Sequence, residues 1–494
     1  MICFLVCRGY QFTLKPLQQD SAAPETRILT YNKALRETAL PKATYIFVDI
    51  DRLNTAELIA AGRLFRRLAA GGCRVLNDPA CVRTRLLLLK ALQHQGVNNF
   101  RVFAVDEANQ PKRFPVFVRI ADDHAGPLTE LIADQATLER AIEALIAIGY
   151  PRSQLIIVEY AAEAVRPGVF RKSSVFRVAE RYLPHVCVHD SEWVIKAGRS
   201  GFAPAELYDE ELAILRTNPF AEQLKPAFET AGVDFGRADF SFVKGRLCVY
   251  EINTNPTLAR PSSHSIPQRV QSMKLWWEQF LSSLHAIDDR SEPGCQIDVR
   301  VDDVATLRKA LDIYPLIKNG FLRLSELHAR RNERSAAVTY AEAALAQAAT
   351  SDTGLMIRVS KLIAANGNLC RAIEIADHAL EADPESFDLL INRGRLLARG
   401  KHQKDAVEAV ERAIRLRPQD IRGYRALSEV HWLLGNSTAA LAATKKAINL
   451  TRKKQGVAAS KQLTELQTQR RTLQKEIILQ RLRAFFGSGN RSRY

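Results

Sequence analysis

A chain of 494 residues is too long for a single hydrophobic core and should divide into about three domains. Its hydrophobic content of 47% and charged content of 25% are ordinary for a globular protein, and no run approaches the about eighteen apolar residues that a membrane span needs, so no membrane partner is expected. The net charge of +16 is uneven: residues 1–300 carry 37 Lys and Arg against 34 Asp and Glu, whereas residues 301–494 carry 33 against 20, which assigns the basicity to a partner of the C-terminal part.

The eight cysteines are scattered and include no Cys-x-x-Cys. They read as reduced, buried side chains of a cytoplasmic protein, not as a disulfide or zinc framework. The segment Met1 to Arg8 is too short for the apolar part of a signal peptide and lacks a basic start, so a buried first strand is expected there. Thr44 to Asp49 is a second apolar strand. Ala56 to Ala70 is an amphipathic helix through Leu58, Ile59, Leu64, Phe65 and Leu68, ended by Gly71-Gly72, and Arg74 to Leu76 is the next strand. These elements make a small α/β domain over residues 1–80. A helix from Arg83 to His94 follows, then a strand from Phe114 to Ile120 whose penultimate residue is Arg119. The loop Ala121 to Pro127 carries Asp122, Asp123 and His124. Beyond it come a helix from Thr137 to Ile148, a strand from Gln154 to Tyr160, and a strand from Phe170 to Val178 in which cations alternate with apolar residues.

The most informative stretch is Gly232 to Leu258. Two alternating apolar runs, Ala238 to Val243 and Leu247 to Ile252, flank Lys244-Gly245-Arg246 and predict a tight β-hairpin. Asp239 lies early on the first strand, and Glu251 and Asn253 lie on one face at the end of the second. The antiparallel return brings three oxygen-bearing side chains to one end of the hairpin, a pattern suited to a hard cation such as Mg²⁺. Arg237, two residues before Asp239, points at the same place and can stabilise developing negative charge.

These residues resemble the metal-binding core of the ATP-grasp superfamily, most closely its D-alanine–D-alanine ligase and glutathione synthetase-like branch. The resemblance covers residues 1 to about 286. It implies an α+β ATP-grasp fold over residues 81–286, preceded by a pre-ATP-grasp α/β domain. By the same resemblance Asp239, Glu251 and Asn253 hold Mg²⁺, two ions in that family, and Arg237 contacts the reacting carboxylate. ATP is then bound by a basic residue near the start of the helix at 83–94, Arg83 or Arg85, and by Arg119 where the family has Lys. The strand-end hinge is Glu159, Tyr160 and Ala161, with Glu163 for the ribose and with Arg177 and Lys196 as phosphate contacts. The loop at 121–127 departs from the family's small phosphate-covering loop: Asp122 and Asp123 repel a triphosphate unless they turn outward, and His124 is its candidate phosphate-facing group.

A Trp- and Phe-containing helix from Val270 to Leu284 closes this part, and Asp288 to Gly294 reads as a linker within a linker-and-first-helix region over residues 287–319. Beyond it Ala372, Ala406 and Ala440 lie 34 residues apart, as do Ala379, Ala413 and Ala447, and Pro384 and Pro418. This resembles the tetratricopeptide (TPR) repeat, in which small residues let paired helices approach and Pro marks the turn between units. Ala337 and Ala344 add a unit one residue out of phase, so repeats are expected over 320–454, followed by a basic capping helix from Val457 to Phe486 and a disordered tail within the region 455–494.

The expected fold class is therefore multidomain, an α/β pre-ATP-grasp domain and an α+β ATP-grasp fold followed by an all-α TPR solenoid. The resemblance implies an ATP-dependent carboxylate–amine or carboxylate–thiol ligase working through an acyl phosphate on a peptide or protein substrate that the repeats recruit. Their partner is expected to be acidic. The alternative is a TPR scaffold whose nucleotide domain binds ATP without turnover. Nucleic acid is not the expected partner, because the basic end has few aromatic residues and no known module.

Overall fold

Ile2–Val6 is five buried residues in a row, the signature of a strand covered on both faces, and it forms β1 at the centre of a parallel sheet. The computed structural model describes all residues except 108–110, 124, 197, 199–201, 293, 300–303, 349–351, 453–456 and 489–494. The chain forms two compact units, Met1–Asp303 and Val304–Tyr494.

In the first unit β1 is flanked by β2 (Thr26–Thr30) and β4 (Thr44–Phe47), and β5 (Val75–Leu76) extends the sheet in the order β2-β1-β4-β5. The helix Thr55–Ala70 packs on it and starts from a capping box in which Asn54 and Glu57 satisfy each other's backbone N–H groups. A second, antiparallel sheet holds β6 (Val102–Ala104), β8 (Leu155–Glu159) and β7 (Val116–Ile120) in that spatial order, backed by the helix Gln135–Ala147 through Leu138, Ile142 and Leu145.

The third sheet is built from β10 (Val169–Val178), β11 (Arg181–Asp190), β12 (Phe235–Val243) and β13 (Arg246–Asn253), ordered β11-β10-β12-β13, with the short β9 (Ala164–Arg166) beside β10. One of its faces joins the parallel sheet through a shared core of Phe4, Phe176, Phe235, Trp276 and Phe280, the last two from the helix Pro267–Ile287. The helices Arg85–His94 and Ala221–Ala231 cover the other face through Leu88, Leu92, Leu224 and Phe228. Strand β11, the helix Ala205–Thr217 and the helix Ala221–Ala231 have no counterpart in the sequence reading.

Residues 287–319 are not simply a linker and a helix. Gln296–Asp298 forms β14, which pairs with β3 (Ala39–Pro41). Val299 is buried in the core under the parallel sheet, and Ile297 packs so closely on Gly71 that a Cβ there would meet its Cγ2 at 2.4 Å. The segment thus completes the first unit; its Ser, Pro and Gly content hid a strand of three residues.

The second unit is all-helical among its described residues. After Val304–Ile313 come four helical hairpins: Gly320–Arg330 with Arg334–Ala346, Thr353–Ala365 with Leu369–Ala382, Phe387–Arg399 with Gln403–Leu416, and Ile421–Leu433 with Ser437–Arg452. Ala337, Ala372, Ala406 and Ala440 are fully buried at equivalent places. Ser325 donates to the Ala337 carbonyl at 2.6 Å and a Cβ on Gly394 would meet the Ala406 carbonyl at 2.9 Å, so the paired helices approach where the side chains are small. The long helix Val457–Ser488 follows, packing Leu466 beside Ala447 and Ile448. The remainder of the expected tail, 489–494, lies outside the described residues. Among the described residues no helix is long and apolar enough to cross a membrane.

Candidate functional site

The geometry of the site starts at a two-residue turn. Lys244 and Gly245 both have positive φ, +51° and +72°, the twist a type I′ hairpin requires, and the turn locks Val243 opposite Arg246. An irregularity after Asp239 absorbs Tyr250, and the register resumes with Asp239 opposite Glu251 and Arg237 opposite Asn253. All four side chains therefore stand on one face at one end of the hairpin.

Each carboxylate there already faces a cation. Arg237 forks Asp239 through Nε at 2.7 Å and Nη2 at 3.1 Å, and Lys172 of β10 adds its Nζ at 3.2 Å. Burial alone would lower the Arg237 guanidinium, but the charge and hydrogen bonds of Asp239 outweigh it and hold it above its ordinary value. Glu251 is paired with Arg85, whose other terminal nitrogen donates to the carbonyls of Ala121 and Asp123, both at 2.7 Å. Arg119 also donates to the Asp123 carbonyl, at 2.9 Å; burial, and then the neighbouring Arg85, push it down to about 10. It remains a cation at neutral pH.

Arg237, Asp239, Lys172, Glu251 and Arg119, with Asn253, form the polar end of a cavity of about 340 Å³ that also takes in Arg171 and Lys196. Its other end is apolar, walled by Phe100, Phe117, Val158, Trp193 and Ile195. Trp193 lies 5.0 Å from the Phe117 ring and 5.4 Å, edge-on, from Tyr160. Glu159, Ala161 and Glu163 line the cavity along the exit of β8, whereas Tyr160 borders it through Trp193. Glu159 is buried, accepts the Arg101 N–H at 2.9 Å and pairs with Arg113 at 2.8 Å. The Ala161 carbonyl accepts the Tyr250 hydroxyl at 2.7 Å, and Glu163 accepts the Lys244 N–H.

Two of the expected nucleotide contacts stand elsewhere. Arg177 lies on the opposite face of the sheet from Asp239. Strand parity places Phe176, not Arg177, across from Arg237, and Arg177 is held by the carbonyls of Ala179 and Val233 and by Asp234. Arg83 binds the Thr230 carbonyl and lines a separate cavity of about 70 Å³, which Arg85 and Glu251 also border, while the Arg85 guanidinium reaches Glu251. His124 lies outside the described residues. The sequence reading missed Arg171, Lys172 and Trp193. The two cations had a signal in Phe170-Arg-Lys-Ser, but a bulge between Lys172 and Ser174 breaks the alternation that would have assigned their face.

A divalent cation fits this donor set. Among the described residues no three His, Cys, Asp or Glu side chains cluster as ligands. A cation here would rest on the carboxylates of Asp239 and Glu251 and the amide oxygen of Asn253, leaving positions for substrate oxygens, the arrangement Mg²⁺ favours. In the second unit, arginines of successive repeats are matched by carboxylates: Arg358 with Glu326, Arg395 with Glu429 and Arg422 with Asp388, the last two at 2.8 Å.

No protein-family model matches the chain, and no curated protein matches it. Solved structures do. One is the D-alanine–D-alanine ligase from Bacillus anthracis complexed with ATP, at 12% identity and a TM-score of 0.35, over 58% of this chain and 96% of that one. Others are MamA, at 18% identity and a TM-score of 0.26 over 31% of this chain and 83% of that one, and YrrB, a TPR protein with an unusual peptide-binding site, at 16% and 0.25 over 30% and 75%. At such scores the functional reading rests on the chain's own geometry.

Proposed function

We propose that the first unit is an ATP-dependent ligase of the ATP-grasp kind, joining a carboxylate to an amine or thiol through an acyl phosphate. The observation that carries this reading is a single cavity with an aromatic slot at one end and five cations with two carboxylates and an amide at the other. A purine fits between Phe117, Trp193 and Val158, and a triphosphate fits the basic end, where Arg119 and Lys196 position it. Asp239, Glu251 and Asn253 would hold Mg²⁺, which when bound neutralises the phosphate oxygens.

The substrate carboxylate takes the γ-phosphoryl group and ADP leaves. The amine or thiol then attacks the acyl carbon, phosphate departs, and the attacking group gives up its proton to the departing phosphate. Arg237 faces the carboxylate oxygen on which charge builds, and the enclosed aromatic wall keeps water from the acyl phosphate. The helical repeats of the second unit make a peptide or protein the favoured substrate.

A second reading, a scaffold that binds ATP without turnover, draws on one observation. Asp239 and Glu251 are both charge-compensated by the chain's own cations, so the cluster keeps its shape with no metal. ADP release from ATP with pooled carboxylates and amines separates the two. The ligase reading expects release that depends on both pools and is lost in Asp239→Asn with Glu251→Gln, while that variant stays folded. Release unchanged in the double variant would remove the metal assignment, and nucleotide binding without release would favour the scaffold.

A further inference from the structure

We propose that Arg85 is a latch released by the metal: it ties Glu251 to the loop after β7, and a divalent cation on Glu251 lets that loop go. The inference rests on the reading of Glu251 as a metal ligand. Arg85 stands in the first turn of its helix with its side chain only 6% exposed, and its guanidinium faces two ways. One terminal nitrogen donates to Glu251, and the other donates to two loop carbonyls, those of Ala121 and Asp123. Arg119 donates to the same Asp123 carbonyl.

A metal ion and Arg85 compete for one carboxylate. A divalent charge on Glu251 lies within a few ångströms of the guanidinium, repels it, and takes the lone pairs it was using. The guanidinium is planar and its donors are fixed in one fork, so it cannot turn from Glu251 and still meet both carbonyls. Loss of the ion pair therefore frees the loop that lies beside the phosphate end of the cavity. Asp239 has no such connection. Its cations, Arg237 and Lys172, make no hydrogen bond to that loop among the described residues, so the signal runs through Glu251 alone.

The test uses the full chain, Mn²⁺ as the probe, hydrogen–deuterium exchange of the loop that follows Ile120, and the paramagnetic signal of free Mn²⁺ as the measure of binding. In the wild type, exchange in the loop should rise about tenfold as Mn²⁺ binds, because the open form becomes the populated one. In Arg85→Gln the loop should exchange fast without metal and gain nothing from it, and Mn²⁺ should bind about tenfold more tightly because Glu251 has lost a cation that competes with the metal. Lys172→Met should tighten Mn²⁺ binding and leave the metal-free loop as slow as in the wild type. Mn²⁺ that binds the wild type and leaves the loop unchanged overturns the latch but not the metal site. Binding no tighter in Arg85→Gln also overturns it. Absence of binding in both proteins overturns the latch and the metal reading together. If Arg85→Gln does not fold, the wild-type exchange decides alone, since it involves no substitution.

Discussion

Asp239 is 1% exposed and still surrounded by charge, because Arg237 and Lys172 arrive from its own strand and from the neighbouring one. Such a cluster tolerates burial only while each charge keeps its partner. Arg119 shows how far the identity of a cation matters. It is pushed down to about 10, by burial first and Arg85 second, and an arginine so shifted is still protonated at neutral pH. A lysine in its place begins lower and meets the same two influences, so its ammonium is present at low pH and is lost as pH rises through its lowered value. Arg119→Lys should therefore bind ATP within severalfold of the wild type near about pH 6 and weaken steadily towards about pH 9, while the wild type stays flat. Arg119→Ala should lose about tenfold or more at every pH, the scale of a charged hydrogen bond. Nucleotide titrations across pH check this; a flat profile for the lysine variant would place Arg119 away from the phosphates.

Among the elements, the β12–β13 hairpin was readable from the sequence because a two-residue turn leaves one register, but the bulge that absorbs Tyr250 and so brings Glu251 opposite Asp239 was not. Arg177 was not, although β10 itself was foreseen. A cation in an alternating strand has even odds of either face until a partner strand is known, and the bulge at Lys172–Ser174 removes the count from the other end. Arg83 and Arg85 differ by two residues across a helix start, where phase is not yet set; only the cap at Thr84 decides which one looks inward. Repeat spacing carried its information better, since a 34-residue period places alanines in contact whatever the surrounding side chains do. Gly394 is where that packing is tightest: a Cβ would meet Val410 Cγ2 at 2.4 Å and the Ala406 carbonyl at 2.9 Å. Gly394→Ala is expected to destabilise the second unit by about 1–3 kcal/mol, the cost of overpacking outweighing the gain in helix propensity. A urea series followed by far-ultraviolet circular dichroism should show an earlier helical transition, and an unchanged midpoint would mean the helices part without cost.

At the scale of the molecule, the charge excess of the second unit is partly spent internally. Arg358, Arg395 and Arg422 each have a carboxylate from the adjoining repeat, so an acidic partner would have to win arginines that already hold neighbours together. The first unit is sealed by its last strand. A chain ending at residue 286 loses Ile297 and Val299 from under the parallel sheet and the Asp288 carboxylate that receives the Met1 ammonium group. Relative to one ending at residue 303 it should be less stable by about 2–5 kcal/mol, the scale of one buried and one half-buried aliphatic side chain and their strand bonds, yet bind nucleotide equally well once folded. Thermal melting and nucleotide titration of the two chains check both halves of that statement. The route out of this unit has a mechanical meaning as well. The Arg67 guanidinium holds the Val299 carbonyl at 2.7 Å, the Thr38 carbonyl holds the Val299 N–H at 3.1 Å, and three residue pairs join β14 to β3. A pull applied along the chain from beyond Val299 meets this short ladder first. It acts as a fuse: the strap tears away from the N-terminal sheet at low force, and the hairpin that carries Asp239 and Glu251 feels no tension until it has.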